Sequence, residues 1–395
     1  MENFSFYSPT LFSFGRGEEA HVDQLVQRFG GSKVLLVYGG GSVKRNGAYQ
    51  AVTDALRRGG IPFCELSGIQ ANPRSGKVYE GVELVHRERV DFILALGGGS
   101  VIDTAKAIGF GAVYDGDFWD FFTGTDITAT MPVGVILTIS AAGSEGSDSC
   151  VITHEQGNLK WGCRKTDVIR PKFAILNPQF TCSLPAYQTA SGAVDMFSHI
   201  CERYFTNTPA VALTDRLAEA LMKTILSAAP RAIADPGSYE PRADLMWAGM
   251  LAHNNLCGTG RAQDWASHQI EHELSAFYDC AHGAGLAVVT PAWMEYVMEH
   301  NVMRFAQFAV RVFGCEMDFA QPELTAREGI CRLRAFFRSI GMPVTLEEIG
   351  ADPADIPDMV LHRAQKPGGF PFGSFVRIHP EDMRAILEKA AAANT

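Results

Sequence analysis

No CxxC pair, no long apolar run and no surplus of basic residues occur in this 395-residue sequence, and each absence removes a class of function. The nine cysteines are scattered without close pairing, which reads as free thiols in a reducing compartment and offers no thiolate cluster for a metal. No segment reaches the roughly 20 consecutive apolar residues of a membrane span. The start Met1-Glu-Asn-Phe-Ser lacks the basic and apolar regions of a secretory signal, so a cytoplasmic protein with no membrane partner is expected. With 44 acidic against 34 basic residues and a net charge of -10, nucleic acid is a poor candidate for the main partner. A phosphorylated cofactor stays possible, because a helix N-terminus and one or two local bases can hold phosphate inside an acidic protein.

What is present points to two folded halves. Hydrophobic residues make up 47% of the chain, enough for large cores, and the length suits two domains. In the first half, short apolar runs such as Lys33–Tyr38, Val90–Leu96, Pro132–Ser140 and Phe173–Leu176 alternate with helical patterns, the signature of an α/β domain with a mostly parallel sheet. Residues 3–14 read as an extended strand or hairpin. After about Leu184 the patterns become helical, including 241–258, so the expected division is an α/β domain over 1–185 and an all-helical domain over 186–395.

Two glycine runs follow strands in the first half. Gly97-Gly98-Gly99-Ser100 lies between an apolar strand and a helix that begins near Ser100, where glycines let the backbone approach a pyrophosphate and unpaired N–H groups can receive it. It is not the usual GxGxxG of a dinucleotide fold. Gly39-Gly40-Gly41-Ser42, with Lys44 following, ends the earlier strand. Thr138 and Ser140 can place hydroxyls where their strand ends. Lys160, in a hairpin around 151–162, reads equally as a cation for a phosphate or ribose and as a solvated lysine. The 113–130 segment with Trp119 reads either as an aromatic cleft lining or as ordinary loop packing.

In the second half, Asp195 and His199 are four apart on a helix and so share a face. His268 and His272 repeat the spacing, and His282 follows directly before the turn-like Gly283-Ala-Gly285. One carboxylate and several imidazoles suit Zn²⁺ or Fe²⁺. The set chosen is Asp195, His199, His268 and His282, with His272 as a neighbour able to hydrogen-bond substrate or relay a proton. Such an ion polarises a substrate oxygen, and beside a dinucleotide it implies hydride transfer.

These residues carry a resemblance. Tyr38-Gly-Gly-Gly-Ser42-Val-Lys44, Gly97-Gly-Gly-Ser100-Val-Ile-Asp103, Thr138 with Gly143-Ser144-Glu145, and His268 through Glu273–Asp279 to His282-Gly-Ala-Gly285 resemble the iron-containing alcohol dehydrogenase family, in its branch of NADPH-dependent butanol dehydrogenases and broad-range aldehyde reductases. The resemblance covers nearly the whole chain and implies the dehydroquinate synthase-like two-domain fold, with the cofactor in a cleft between the halves. It implies the same four metal ligands, a homodimer, and a short aldehyde or alcohol as substrate. It also implies cofactor contacts from Gly97 to Ser100, Thr138, Ser140, Ser144, Lys160 and Leu184, with Asp103 near the nicotinamide and catalytic together with His272. Family members that prefer NAD carry an acidic residue after the first strand; Gly39–Ser42 and Lys44 stand there instead, so NADP(H) is expected. A polyol dehydrogenase, of glycerol or propanediol, is the alternative within the fold, and Trp119, Phe121 and Phe277 count mildly against it. A non-redox dehydroquinate synthase-like lyase is the alternative outside redox chemistry, and the few basic residues near the ligands count against that.

Overall fold

The computed structural model describes residues 1–392 and divides into two compact units. One contains residues 7–185 and 236–254, the other, among the described residues, 1–6, 186–235 and 255–392.

The first unit is built on a sheet of β1 (Leu11–Phe14), β2 (Val34–Tyr38), β3 (Phe63–Leu66), β4 (Phe92–Gly97), β5 (Val133–Leu137) and, beyond a hairpin, β8 (Phe173–Leu176). Among the described residues the order is β1-β8-β5-β4-β2-β3, and every pair is parallel. The hairpin, β6 (Ser149–His154) with β7 (Leu159–Arg164), is antiparallel and forms its own small sheet. Each of β2, β4, β5 and β8 is buried along its whole length. Their alternate residues serve two cores: Val34, Leu36, Phe92, Leu94 and Ile136 pack on one side, and Leu35, Val37, Ile93, Ala95 and Val135 on the other. A strand covered on both faces has no polar side to show, which is why these segments are continuous apolar runs. At β5, a Cβ on Gly134 would come within 2.4 Å of the Phe173 ring, so only glycine lets the two strands pack with that ring between them.

Of the 3–14 segment, only Leu11–Phe14 is a strand, at the sheet edge beside β8. The residues before it run without regular structure, tied down at their start by the Met1 amino group on Pro209 O (2.9 Å) and by Glu2 N on Gly260 O (2.9 Å). Residues 1–6 therefore belong with the helical unit.

A second difference is the helix Tyr239–His253, whose sequence suggested a place in the helical half. It belongs with the α/β unit: Met246 enters the sheet core, Trp247 meets Phe12 and Phe14 edge-on, and Gly249 O abuts Gly143 so closely that a Cβ there would come within 2.5 Å. Helical periodicity reveals that a face is buried, not which neighbour buries it.

The helical unit centres on Ala186–Tyr204, almost wholly buried, packed against Ala212–Ala234 and His282–Val297. Ala266–Tyr278 lies alongside His282–Val297. Phe205, Phe305 and Phe308 cluster with Trp293 and Phe375. Asp215 takes both terminal nitrogens of Arg304 (2.7 and 2.6 Å) and lies 2.9 Å from Arg261. Gly283-Ala-Gly285 is no turn: it is the first turn of the helix His282–Val297. Among the described residues no helix is long and apolar enough to cross a membrane.

Candidate active site

The helix Ala186–Tyr204 presents Asp195 and His199 one turn apart, both buried. Asp195 Oδ1 is 3.2 Å from His199 Nδ1, 3.8 Å from His282 Nε2 and 4.0 Å from His268 Nε2. Ligand atoms of Asp195, His268 and His282 all lie within 4.8 Å of one another. His199 stands against this trio, its ring 4.4 Å from that of His268, and turns Nδ1 toward the carboxylate. Two buried atoms at the centre, Asp195 Oδ1 and His268 Nε2, make no hydrogen bond, a costly arrangement unless a cation sits between them. An ion with bonds of about 2.1 Å in tetrahedral geometry keeps its ligands roughly 3.4 Å apart, so a small contraction of this cluster around one divalent ion suffices.

Protonation agrees with that fit. Burial works to raise the Asp195 carboxyl, but the imidazoles of His199, His282 and His268 hold it well below the usual carboxylate range. Burial pushes His199 down to about 3. At neutral pH the pair is a carboxylate beside a neutral imidazole, the state a divalent cation requires.

Two carboxylates absent from the sequence reading orient the histidines. Glu202 Oε1 accepts from both the backbone N (2.9 Å) and Nδ1 (2.8 Å) of His268. Glu271, fully buried, accepts from His282 Nδ1 through one oxygen and from the Ser275 hydroxyl through the other. Each fixes a tautomer that leaves Nε2 toward Asp195, the usual support of a ligating imidazole. A signal was available, because His199-x-x-Glu202 and His268-x-x-Glu271 share one spacing. Glu202→Gln is expected to weaken metal binding tenfold to a hundredfold, read by competition against a chelator of known affinity. Unchanged affinity would mean that the helix backbone alone sets the His268 ring.

His272 lies beside His282, with ring centroids 5.9 Å apart, and forms a second close group with Glu271 and His282. Both Glu271 oxygens already accept hydrogen bonds from His282 and Ser275, which favours the Asp195 group as the place for an ion.

In the α/β unit, Gly97 ends β4 and Gly98 precedes the helix Gly99–Gly111 with no side-chain cap on its first N–H groups. A Cβ on Gly98 would press on Ile139 at 3.1 Å and one on Gly99 on Ala142 at 3.3 Å. Glycine thus keeps the loop low against the end of β5, where Thr138 N bonds Gly97 O at 3.0 Å. The Ser140 hydroxyl is buried there without a hydrogen-bond partner, an acceptor or donor suited to a polar ligand. Gly39, Gly40 and Gly41 lead from β2 into the short helix Ser42–Arg45 that carries Lys44. Lys160 is buried within β7, so it is not a solvated surface lysine. Leu184 closes a turn onto Thr181 O, just before the chain leaves this unit.

Asp103 and Ser144 are engaged with each other. The Ser144 hydroxyl donates to Asp103 Oδ1 at 2.5 Å, and Val151 N donates to Oδ2 at 2.9 Å. Below them the fully buried Lys106 donates to Ser144 O (2.7 Å), Ser147 O (3.1 Å) and Ser149 O (2.9 Å), and burial lowers its pKa. Asp103 and Lys106 therefore fasten the 144–149 loop to the helix that follows the glycine run. Trp119 stacks on Phe122 and Trp161, and Phe121 is buried in the sheet core. These rings are loop and core packing, and they lend no support to an apolar substrate over a polyol.

Comparison with known proteins finds matches over nearly the whole chain. Residues 9–178 match the family description "Iron-containing alcohol dehydrogenase" and residues 189–391 match "Fe-containing alcohol dehydrogenase family, C-terminal". The chain is 41% identical to a probable NADH-dependent butanol dehydrogenase 2 of Bacillus subtilis, over 98% of this chain and 99% of that protein. It is 35% identical to the NADPH-dependent aldehyde reductase YqhD of Escherichia coli, over 99% and 100%. The crystal structure of an NADH-dependent butanol dehydrogenase A from Thermotoga maritima superposes with a TM-score of 0.96 at 41% identity, covering 99% of each chain. With matches of this extent across both units, the chain belongs to the iron-containing alcohol dehydrogenase family, oxidoreductases that act on alcohols and aldehydes with a nicotinamide cofactor and a metal.

Proposed function

We propose that the protein reduces short-chain aldehydes such as butanal to alcohols with NADPH, using one divalent ion, Fe²⁺ or Zn²⁺, held by Asp195, His199, His268 and His282. The observation that carries this reading is the buried carboxylate facing three imidazoles, with Asp195 Oδ1 and His268 Nε2 left without hydrogen bonds. When bound, the ion polarises a carbonyl oxygen and the nicotinamide supplies a hydride to the carbonyl carbon. The reduction also needs one proton at the oxygen. His272, partly exposed beside His282, delivers that proton and recovers it from solvent. Glu202 and Glu271 hold the imidazoles in place. Asp103 and Lys106 hold the loop of Ser144, while Gly97, Gly98, Gly99 and Ser100 receive the pyrophosphate, with Thr138, Ser140, Lys160 and Leu184 as further contacts.

NADPH is favoured over NADH because Gly39, Gly40, Gly41, Ser42 and Lys44 place no carboxylate directly after β2. The relatives carry names of both kinds, NADH-dependent for the butanol dehydrogenase and NADPH-dependent for the aldehyde reductase. A homodimer is the assembly we favour: β1 is an open sheet edge and the preceding Phe4, Phe6 and Tyr7 are 54, 45 and 50% exposed. The test is oxidation of NADPH and of NADH by the metal-loaded protein with butanal, alongside NADP⁺ reduction with butanol and with glycerol. Butanal turnover with a higher kcat/KM for NADPH is expected. Absence of turnover with bound metal removes the reductase reading, and a higher kcat/KM for NADH removes the cofactor assignment.

A further inference from the structure

The loop that follows β2 is flanked by an acidic residue from the neighbouring strand. Glu65 lies opposite Leu36 in the β2–β3 register, so its side chain shares a face with Leu36 and Tyr38. The two strands stay together past their ends, with Ile69 N on Tyr38 O (3.3 Å) and Gly68 N on Gly39 O (3.0 Å). Both carboxylate oxygens of Glu65 are occupied: Tyr38 donates to Oε2 at 2.6 Å and Tyr49 to Oε1 at 2.7 Å. Over the two rings sits the Lys44 ammonium, 4.8 Å from the Tyr49 centroid and 5.4 Å from that of Tyr38. Two phenols, one carboxylate and one ammonium thus form a closed cluster beside Gly39. Hydrogen bonding to Glu65 and burial drive the Tyr49 hydroxyl up to about 12, and burial and Glu65 do the same for Tyr38, so both remain donors at any working pH.

We infer that Glu65 and Tyr49 set the choice between the two nicotinamide cofactors. The inference rests on the reading of the Gly39–Ser42 loop as the seat of the adenosine ribose and its 2′-substituent. A carboxylate in that position with free oxygens would accept the ribose hydroxyls of NADH and repel a 2′-phosphate. Here the tyrosines occupy those oxygens, and Lys44 sits close enough to offset the charge, leaving the cation as the group that a phosphate meets. Without the Tyr49 hydroxyl the freed Glu65 oxygen would shift the balance toward NADH. The discrimination is therefore held by a hydroxyl that touches neither cofactor.

The sign of the effect differs between two small substitutions, and that separates a specificity role from a merely structural one. Tyr49→Phe keeps the ring beneath Lys44 but releases Glu65 Oε1, so NADPH binding should weaken and NADH binding should not. Glu65→Gln keeps an acceptor for one phenol but removes the negative charge, so NADPH binding should strengthen relative to NADH. Each shift in the ratio of dissociation constants should be roughly threefold to tenfold, the scale of one screened charge at several Å. The measurement is cofactor fluorescence titration of the full-length metal-loaded protein with NADPH and with NADH. Gly39→Asp is the reference, expected to weaken NADPH far more than NADH. If Gly39→Asp weakens both alike, the reading of the loop fails. If it discriminates while Tyr49→Phe and Glu65→Gln move both cofactors together or leave both unchanged, the loop reading stands and the inference about Glu65 is overturned.

Discussion

His268→Ala is expected to leave a protein that folds but loses its metal on dialysis, with activity falling below detection. The residue is buried, its Nε2 faces Asp195 Oδ1 at 4.0 Å without a hydrogen bond, and its Nδ1 is fixed by Glu202. Alanine removes one ligand atom and also the Nδ1 partner of the buried Glu202 carboxylate, and leaving a buried carboxylate without that hydrogen bond costs about 1–3 kcal/mol in addition to the lost ligand. His272→Ala should behave differently. It retains the ion and lowers the aldehyde reduction rate by roughly a hundredfold, the lower end of what a positioned proton donor contributes. Metal content by atomic absorption after dialysis, set beside single-turnover rates, distinguishes the two. Loss of the ion from His272→Ala with retention in His268→Ala would move the site to the Glu271, His272 and His282 group.

The elements that were legible in the sequence are those whose chemistry repeats along the chain. The central strands stand out because they are buried on both faces and so are apolar without interruption. Asp195 and His199 stand out because their spacing is one helical turn, which puts both on one face of the helix. What escaped depends on contacts between distant segments. Glu202 looks like a solvated charge three residues after His199 until the fold sets it against His268, 66 residues away. Glu65 is an ordinary acidic residue on an edge strand until Tyr38 and Tyr49 close on it. The aromatic residues around 119–122 have no period at all, and only the hairpin beside them shows that they are packing. Gly283-Ala-Gly285 looks turn-like in sequence, whereas in the fold Gly283 serves the approach of two helices.

That approach leads to the second large effect, in Gly283→Ala. In most helical positions alanine is more stabilising than glycine by about 0.5–1 kcal/mol, because it has less backbone freedom to lose. At Gly283 the sign should reverse. A Cβ there would stand 1.9 Å from the carbonyl oxygen of Ser191 and 2.7 Å from its carbonyl carbon, and neither is the end of a flexible side chain. Ser191 belongs to the helix of Asp195, one turn before it, while Gly283 directly follows His282. To admit one methyl group the two helices must separate at the point where they bring carboxylate and imidazole to 3.8 Å. Overpacking of this kind costs about 1–3 kcal/mol or more, and the same displacement pulls a ligand away from the ion. The expected result is a melting temperature lower by about 5–10 °C, with a metal affinity reduced by at least about tenfold and cofactor binding little changed. A stability gain with unaltered metal affinity would show that the helices have slack at this contact, and that glycine at 283 serves no role in holding His282 against Asp195.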